Sequence, residues 1–403
     1  MHDPLQLRFM DYAVASATKA GVKQERILNG LARRTFRECF IANRDPFSLL
    51  DDAAEIMCSL EAVMVIFDAV LRNYDLAAVA EQARRLEELG FGAMWTRETQ
   101  HDPFLPLSSA ATVTSKISLG TGIALAFPRS PMTLAYTAWD LQRASRGRFI
   151  LGLGSQVKAH NERRFSVKYE SPGPKLREFV LALRAIWQAW QQRTPLDFRG
   201  KFYHFDLMTP FFDPGPIEYP KIPVFVAGVN QYMCRMAGEV CDGLLVHPFH
   251  SPKYLREYLR PAVEEGLRVA GRSRADFTLA SSTFAIIGDS EAERSRAAEV
   301  VRRQIAFYAS TRTYQLVLAT HGWERLLPEL HRKSTEEDWN GMASLIGDEM
   351  LATFAVSGTL ESVAVQLRDR YAGQLLDRTS LYELDVSEYK PERLRNLVQT
   401  VQA

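Results

Sequence analysis

The stretch from Ile117 to Gln156 constrains the fold most, because it predicts a strand, a loop, a helix and a second strand in succession. Its first part is short, apolar and bounded by turn residues, which favours a buried parallel strand over a helix. Ser130 is suited to cap the helix, and Pro131 takes its first position, where a missing N–H costs nothing. The second strand covers Phe149–Leu153. Both predicted strands therefore end in Gly-rich loops on the same side of a parallel sheet.

The rest of the chain repeats this alternation. Short apolar segments are separated by segments in which apolar residues follow helical spacing. Eight strands alternating with helices predict an α/β fold, a (β/α)8 TIM barrel with right-handed connections. The length of 403 residues is enough for such a barrel as one domain with insertions. In addition to the two strands above, the predicted strands are 63–67, 91–95, 222–227, 243–246, 278–287 and 378–382.

Three segments fall outside the barrel pattern. Residues 1–60 are a predicted helical N-terminal extension, and the barrel takes up residues 61–403. Insertions are expected near 194–220 and 311–350. The first is rich in aromatic residues and predicts a hairpin at 198–205, with a lid over the site, outer packing and a dimer surface as alternatives. The second insertion has a helical pattern.

Part of the N-terminal extension, residues 25–36 followed by 47–54, resembles the opening helices of tetracycline-repressor-type regulators. The recognition helix that should follow is missing, so base readout has no candidate element. We therefore expect residues 1–60 to be an extension packed on the barrel or a poorly ordered segment.

Composition narrows the classes of partner. The net charge of +1 argues against nucleic acid or an acidic membrane as the main partner. The chain has no run of 18 apolar residues and no signal-peptide pattern, so a membrane span is not expected. The cysteines form no CxxC pair and have no zinc spacing, which predicts reduced thiols in a cytoplasmic protein and no metal site. They are Cys39, Cys58, Cys234 and Cys241.

Barrels of this kind act from the carboxyl ends of their strands, and this rule selects the candidate site. Glycines there let main chain approach a ligand closely. The histidines there are the candidates for proton transfer. The selected residues are Glu98, His101, Thr121, Gly122, Ile123, Gly154, Gln156, Ala227, Gly228, Val229, Asn230 and His247.

Three of these residues have specific alternatives. Gly228 lies between a strand and a helix, where loop N–H groups and the helix dipole favour a phosphate; the alternative is a plain glycine turn. His101 is the best candidate for a catalytic proton donor or acceptor beside a cofactor ring; the alternative is a surface histidine paired with Asp102. His247 has an equivalent position, but the His-Pro sequence also suits a loop-shaping role.

Three motifs in order carry a family resemblance: 120–123 (Gly-Thr-Gly-Ile), 128–131 (Pro-Arg-Ser-Pro) and 147–154 (Gly-Arg-Phe-Ile-Leu-Gly-Leu-Gly). Over roughly residues 61–383 the chain resembles the bacterial-luciferase-like superfamily, most closely its coenzyme F420 (deazaflavin) branch. The resemblance implies a barrel that binds F420, with FMN as the alternative cofactor, and a homodimer that acts on a small-molecule substrate.

The resemblance also implies roles for individual residues. Relatives contain a cis peptide at the end of the third strand that presses against the cofactor ring, which here corresponds to Gly122–Ile123. They hold the cofactor phosphate near the loop that contains Gly228, and deazaflavin enzymes often place a histidine where His101 stands. The other candidates above, apart from His247, are expected to bind the cofactor.

One departure concerns the substrate. Sugar-phosphate dehydrogenases of this branch tend to have a glutamate soon after the fourth strand, whereas this chain has Ser155, Gln156 and Val157, with no acid before Glu162. Sugar-phosphate oxidation is therefore not expected. The predicted function is hydride transfer between a deazaflavin and a small organic substrate. The alternatives are an FMN-dependent monooxygenase and a non-catalytic ligand-binding or regulatory barrel.

Overall fold

A ring of parallel strands forms the centre of the protein. The computed structural model describes residues 65–403, and the expectations for residues 1–60 lie outside the described residues. In hydrogen-bonded order, the strands are β1 (Ile66–Phe67), β13 (Arg378–Leu381), β11 (Thr278–Ile287), β10 (Gly243–Val246), β9 (Val224–Gly228), β6 (Phe149–Gly154), β4 (Ser118–Thr121), β3 (Ala93–Thr96) and β2 (Ala69–Val70). Because β1 and β2 are consecutive parts of one chain segment, the two ends of the sheet meet there and the fold is a TIM barrel. The predicted fold class is confirmed.

Strands occur at each of the eight predicted barrel positions within the described chain. Both the first and the third position are split into two short pieces, β1/β2 and β4/β5. Two further strands form an outer hairpin, and one extends the sheet beyond the barrel. The strands are β1 (Ile66–Phe67), β2 (Ala69–Val70), β3 (Ala93–Thr96), β4 (Ser118–Thr121), β5 (Ala124–Leu125), β6 (Phe149–Gly154), β7 (Phe198–Arg199), β8 (His204–Phe205), β9 (Val224–Gly228), β10 (Gly243–Val246), β11 (Thr278–Ile287), β12 (Ala355–Gly358) and β13 (Arg378–Leu381).

Helices surround the barrel, and several begin at residues suited to capping. Short 3-10 turns at 274–276, 312–314, 324–326 and 386–388 link some of them. A π-helical turn at 255–259 joins the helix that ends at Tyr254 to the helix that begins at Arg260. The helices are α1 (Leu76–Leu89), α2 (Phe104–Val113), α3 (Pro131–Ala144), α4 (Lys158–Arg163), α5 (Pro172–Gln192), α6 (Gln231–Val240), α7 (Pro252–Tyr254), α8 (Arg260–Val269), α9 (Glu291–Ala309), α10 (Gln315–Ala319), α11 (Leu327–Thr335), α12 (Trp339–Ala343), α13 (Asp348–Phe354), α14 (Leu360–Tyr371) and α15 (Pro391–Val401).

Local sequence explains where these helices start. The Ser130 side chain accepts the N–H of Met132 at the start of α3, with Pro131 in the first position. Ser290 and Glu293 form a reciprocal capping box at the start of α9. The helices thus begin just after the strand tips, which leaves those tips free to form a site.

The predicted hairpin is present and contacts two outer helices. Glu178 on α5 accepts the main-chain N–H groups of Lys201, Phe202 and Tyr203 at 2.9, 2.6 and 2.7 Å. Tyr136 on α3 donates to the carbonyl of Phe212 at 2.6 Å. These contacts agree with the packing alternative, and the lid and dimer-surface alternatives stay predictions.

Inside the barrel, four buried side chains form a separate apolar cluster. It contains Ala93 and Trp95 from β3, Ile150 from β6 and Phe225 from β9. Trp95 and Phe225 lie with ring centroids 6.1 Å apart. This cluster therefore fills part of the barrel interior next to the site, since Trp95 also lines the cavity described below.

Candidate active site at the barrel mouth

A cavity of about 260 Å³ lies at the carboxyl ends of the strands. Its size is close to the lower end of the range for small-molecule pockets, roughly 300–1,000 Å³. Strand positions one, two, three, six, seven and eight all contribute to the wall, and Tyr308 on α9 closes one side. Representative lining residues from these strands are Asp68, Trp95, Gly122, Leu245, Ser281 and Ser380.

The floor contains a buried ion pair. Arg378 donates to both oxygens of Asp68, at 2.9 Å from Nε and 2.7 Å from Nη2, and Trp95 Nε1 adds a third hydrogen bond at 2.8 Å. Burial raises the pKa of Asp68 above its ordinary value, and the bonds from Arg378 and Trp95 oppose that shift. With its oxygens already bonded, Asp68 fixes the floor and is not a free general base.

The third strand supplies a wall made of main chain. The Gly122–Ile123 peptide is cis, as predicted. Gly122 lines the cavity and donates its N–H to the carbonyl of Thr96 at 2.7 Å. A Cβ built on Gly122 would lie 3.5 Å from the Trp95 ring, which is an ordinary contact. The absent side chain therefore leaves space in the cavity.

Two predicted cofactor-binding residues hold this wall in place. The buried Thr121 hydroxyl donates to the carbonyl of Gly152 at 2.7 Å and accepts its N–H at 2.9 Å. A carboxylate oxygen of Glu98 accepts the N–H of Leu125 at 2.7 Å and pairs with Arg129 at 2.7 Å. Both side chains thus bind protein groups on either side of Gly122, which makes them supports of the wall.

Arg97 forms the wall at the second strand. It pairs with Glu383, which also pairs with Arg72, and its guanidinium lies 5.0 Å from the ring centroid of Tyr382. Glu383 has φ 64, a left-handed conformation that is uncommon outside glycine. Tyr74 fixes the Arg97 main chain through hydrogen bonds of 2.5 and 3.1 Å. Arg97 is therefore held at three points beside the cavity.

His247 lies opposite, at the end of the sixth strand. Its Nδ1 accepts the N–H of Phe249 at 3.1 Å, so the neutral ring has its proton on Nε2. The ring packs against Tyr308 and Tyr314, with centroids 4.4 and 4.5 Å away. Burial, with a smaller effect of His250, lowers the pKa of His247 to about 3. His247 is thus a neutral hydrogen-bond donor at neutral pH.

Two tyrosines complete the polar wall. The hydroxyls of Tyr308 and Tyr382 lie 2.8 Å apart, and either can be the donor. Burial raises the pKa of Tyr308, so its hydroxyl stays protonated. Because one hydroxyl donates to the other, the second retains a hydrogen that it can offer to a ligand.

The tips of the fourth and fifth strands lie along the same edge as Gly122, but none of their predicted site residues lines the cavity. Gly154 is next to Leu125 in the ladder, and a Cβ on it would overlap the Ile123 side chain. Gln156 has φ 53 and accepts the N–H of Val157. These tips form a rim beside the cavity.

The rim continues at the fifth strand. Ala227 and Gly228 end β9, and Asn230 caps α6 by accepting the N–H of Met233 at 2.9 Å. The carbonyl of Val229 accepts the hydroxyl of Tyr254 at 2.6 Å. A strand-to-helix turn is therefore present where the phosphate site was predicted.

His101 does not reach the cavity lining. It is exposed and stacks on Tyr74, with centroids 5.2 Å apart and ring planes 17° apart. Tyr74 also hydrogen-bonds the main chain of Arg97, so one residue separates His101 from Arg97 on the cavity wall. The structure therefore places His247, and not His101, on the cavity wall, and the catalytic role of His101 remains a prediction.

Several lining residues were not singled out from the sequence. Asp68 follows the first strand and Tyr382 follows the eighth, so the same strand-end rule applied there would have selected them. Arg97 follows the second strand, so its position fits the same rule. Tyr308 lies on a helix far from any strand end, and no sequence signal places it here.

Residues 65–403 contain no cluster suited to a metal ion. In that part of the chain, no group of three or more His, Cys, Asp or Glu side chains is arranged to hold one. No helix in the described part is long and apolar enough to cross a membrane. Cys234 and Cys241 are buried free thiols, and burial raises the pKa of each to about 12.

Comparison with known proteins identifies the family. The model of the luciferase-like monooxygenase family matches residues 63–378, and the chain belongs to this family of oxidoreductases and monooxygenases. It is therefore an enzyme by family membership.

Individual relatives extend this assignment. The chain is 49% identical over 303 residues to an uncharacterized protein of Mycobacterium tuberculosis, covering 75% of this chain and 89% of the relative. It is 26% identical over 302 residues to the 5,10-methylenetetrahydromethanopterin reductase of Archaeoglobus fulgidus, covering 74% and 86%. The coenzyme F420-dependent tetrahydromethanopterin reductase structure from Methanopyrus kandleri superposes with a TM-score of 0.66 at 22% identity, covering 84% and 97%. The last comparison shows the shared fold.

Proposed function

We propose that the protein is a deazaflavin-dependent oxidoreductase that transfers a hydride between coenzyme F420 and a small organic substrate. The observation that supports it best is a cavity at the barrel mouth with the main chain of Gly122 as one wall. Two relatives whose names include F420, a coenzyme F420-dependent oxidoreductase of Mycobacterium tuberculosis and an F420-dependent glucose-6-phosphate dehydrogenase of Intrasporangium calvum, support the choice of cofactor.

The residues present fit such a cofactor. Gly122 lines the cavity without a side chain, which suits a flat ring, and the atoms nearest to a Cβ built there belong to Trp95, at 3.5 Å or more. A cavity of about 260 Å³ has room for a ring system but not for a long phosphate-bearing tail. The rim at Gly154, Gln156 and 227–230 is the proposed place for the tail, where the N-terminus of α6 favours an anion.

When bound, the deazaflavin supplies the hydride chemistry, and the protein supplies position and hydrogen bonds. His247 holds its proton on Nε2 and is a neutral donor on the wall. The Tyr308–Tyr382 pair keeps one hydroxyl hydrogen for a substrate oxygen. These groups orient a substrate oxygen and stabilise charge that develops on it.

A fluorescence titration with F420 and with FMN tests the proposal, using the full chain and two glycine variants. Gly122→Ala adds a methyl group that the protein tolerates but the cavity does not, whereas Gly347→Ala adds one to open space elsewhere. We expect F420 to bind more tightly than FMN. Gly122→Ala should weaken F420 binding about tenfold or more, because a displaced ring loses its close contact with the main chain. Gly347→Ala should bind normally.

Other outcomes favour the alternatives. Tighter FMN binding, together with oxygen consumption on reduction, would show the monooxygenase function that the family name describes. Failure to bind either cofactor would leave the non-catalytic ligand-binding or regulatory barrel. The homodimer and the cytoplasmic location remain predictions, which light scattering and cell fractionation test.

A further inference from the structure

Arg97 has hydrogen-bonding capacity that the protein does not use. Its Nη1 pairs with Glu383, but Nη2 is buried and has no hydrogen-bond partner within residues 65–403. The side chain is 24% exposed and lines the cavity. A buried donor without a partner is costly, so a site that retains one is suited to a ligand that satisfies it.

The charges on this side include two guanidiniums. Arg72 and Arg97 both pair with Glu383. A second carboxylate, Asp385, lies near Arg72, and its pKa is lowered by a hydrogen bond from Ser387 and by the Arg72 charge. Burial lowers the pKa of Arg97, a direction that an anionic ligand would reverse. The Tyr308–Tyr382 hydroxyl pair retains a donor hydrogen, so this wall offers a guanidinium and a hydroxyl as donors.

The position of this wall separates it from the proposed cofactor rim. Around the barrel, β13 lies on the far side from β6 and β9, whose tips form that rim. Tyr382 follows β13, and the next residue, Glu383, pairs with Arg97, which follows β3. A ring against Gly122 with its tail toward Gly228 would leave the Arg97 side for another molecule.

We propose that Arg97 is a specificity-determining residue that binds a carboxylate of the substrate, with the Tyr308–Tyr382 pair donating a further hydrogen bond. The substrates are then small organic acids. This inference rests on the proposed function only in treating the second molecule as a substrate. A guanidinium matches a carboxylate in shape as well as in charge.

Matched small probes test the inference without the need for turnover. Benzoate, benzamide and phenylphosphonate are titrated into the full chain by ligand-observed NMR, with and without F420. We expect benzoate to bind about tenfold more tightly than benzamide, because a hydrogen bond to a charged group contributes more than one to a neutral group. Phenylphosphonate should bind more weakly than benzoate. Equal binding of benzoate and benzamide, or preference for phenylphosphonate, would overturn the proposal.

Variants assign the preference to Arg97. Arg97→Gln should reduce the benzoate preference to about twofold or less, since only neutral hydrogen bonds then remain. Arg97→Lys, which keeps the charge, should retain part of it. Arg235→Gln removes a half-exposed surface charge and is the control. An unchanged benzoate preference in Arg97→Gln contradicts the proposal. If Arg97→Gln does not fold, an unchanged benzoate preference in Arg97→Lys contradicts it instead.

The same samples separate the two proposals. Loss of F420 binding in Arg97→Gln with an unchanged benzoate preference would assign Arg97 to the cofactor and overturn the inference. If the unmodified protein binds no F420 but prefers benzoate in an Arg97-dependent manner, the proposed function fails and the carboxylate site stands.

Discussion

Asp68 and Arg378 join the first and last strand positions of the barrel through two hydrogen bonds of 2.9 and 2.7 Å. They are 310 residues apart in sequence, and both are buried. Trp95 binds the same carboxylate from the second strand position. One buried carboxylate therefore connects three strand positions where the sheet closes, directly below the cavity.

Replacing Asp68 by Asn should destabilise the protein strongly. The amide removes the negative charge but leaves the Arg378 charge buried, and breaking a buried pair in this way costs about 3–5 kcal/mol. Asp140→Asn, at a 66% exposed carboxylate paired with Arg143, should change stability by about 1 kcal/mol or less. Urea unfolding of both variants measures the difference. Similar values for the two would show that the pair contributes little to closure.

Thr121→Val should lower the free energy of unfolding by about 1–3 kcal/mol, because it leaves the N–H and C=O of Gly152 without their partner. The shape of the side chain is preserved, so the loss reports the hydroxyl. Thr112→Val, at an exposed helical threonine, is the matched control. Denaturant unfolding distinguishes them, and an unaltered Thr121→Val protein would contradict this role.

Gly152→Ala should disrupt the wall of the site. A Cβ there would overlap the main-chain carbonyl of Thr121 and lie 2.7 Å from Leu245 Cδ1. Because main chain cannot move aside cheaply in a packed core, we expect a loss of several kcal/mol, about 3 or more. A thermal unfolding curve similar to that of Gly347→Ala would show that β4 and β6 adjust more readily than the geometry indicates.

Acid should destabilise the folded protein before most carboxylates titrate. The pKa values of His247 and His250 are both lowered to about 3, mainly by burial, from an ordinary 6.5. Between those values the unfolded chain binds protons that the folded chain does not, so stability falls as pH decreases below 6.5. The loss from pH 6.5 to 5 is roughly 1.5–2 kcal/mol per histidine.

His247→Gln should flatten this pH dependence by the share of one histidine. Chemical unfolding at several pH values between 5 and 8 measures it. Above pH 8 the two histidines should contribute almost no slope. An unchanged slope in the variant would show that His247 titrates normally in the folded protein.

The barrel was predictable because each element has a local signal. Short apolar runs bounded by turn residues predicted the strands, and Ser130–Pro131 marked a helix start. The cis peptide at Gly122–Ile123 came from the family motif and is confirmed. By contrast, β12 was missed, because four residues with no alternation carry little signal.

The cavity was only partly predictable, since its wall depends on contacts far apart in sequence. The Asp68–Arg378 pair and the position of Tyr308 depend on closure of the whole barrel and on helix packing. His101 has the residue type expected for catalysis, but the loop turns its ring onto Tyr74. Strand-end position selects candidates, and only tertiary packing decides which of them face the cavity.

Strand β11 spans two environments without a break. Its early part, at Ser281 and Ser282, lines the cavity, and its last four residues, Phe284–Ile287, pair with β12 outside the barrel ring. β12, which follows the helix α13, is thereby hydrogen-bonded to the same strand that lines the cavity. Amide exchange at 355–358 should consequently slow when the cavity is filled, so this outer ladder is a remote reporter of occupancy.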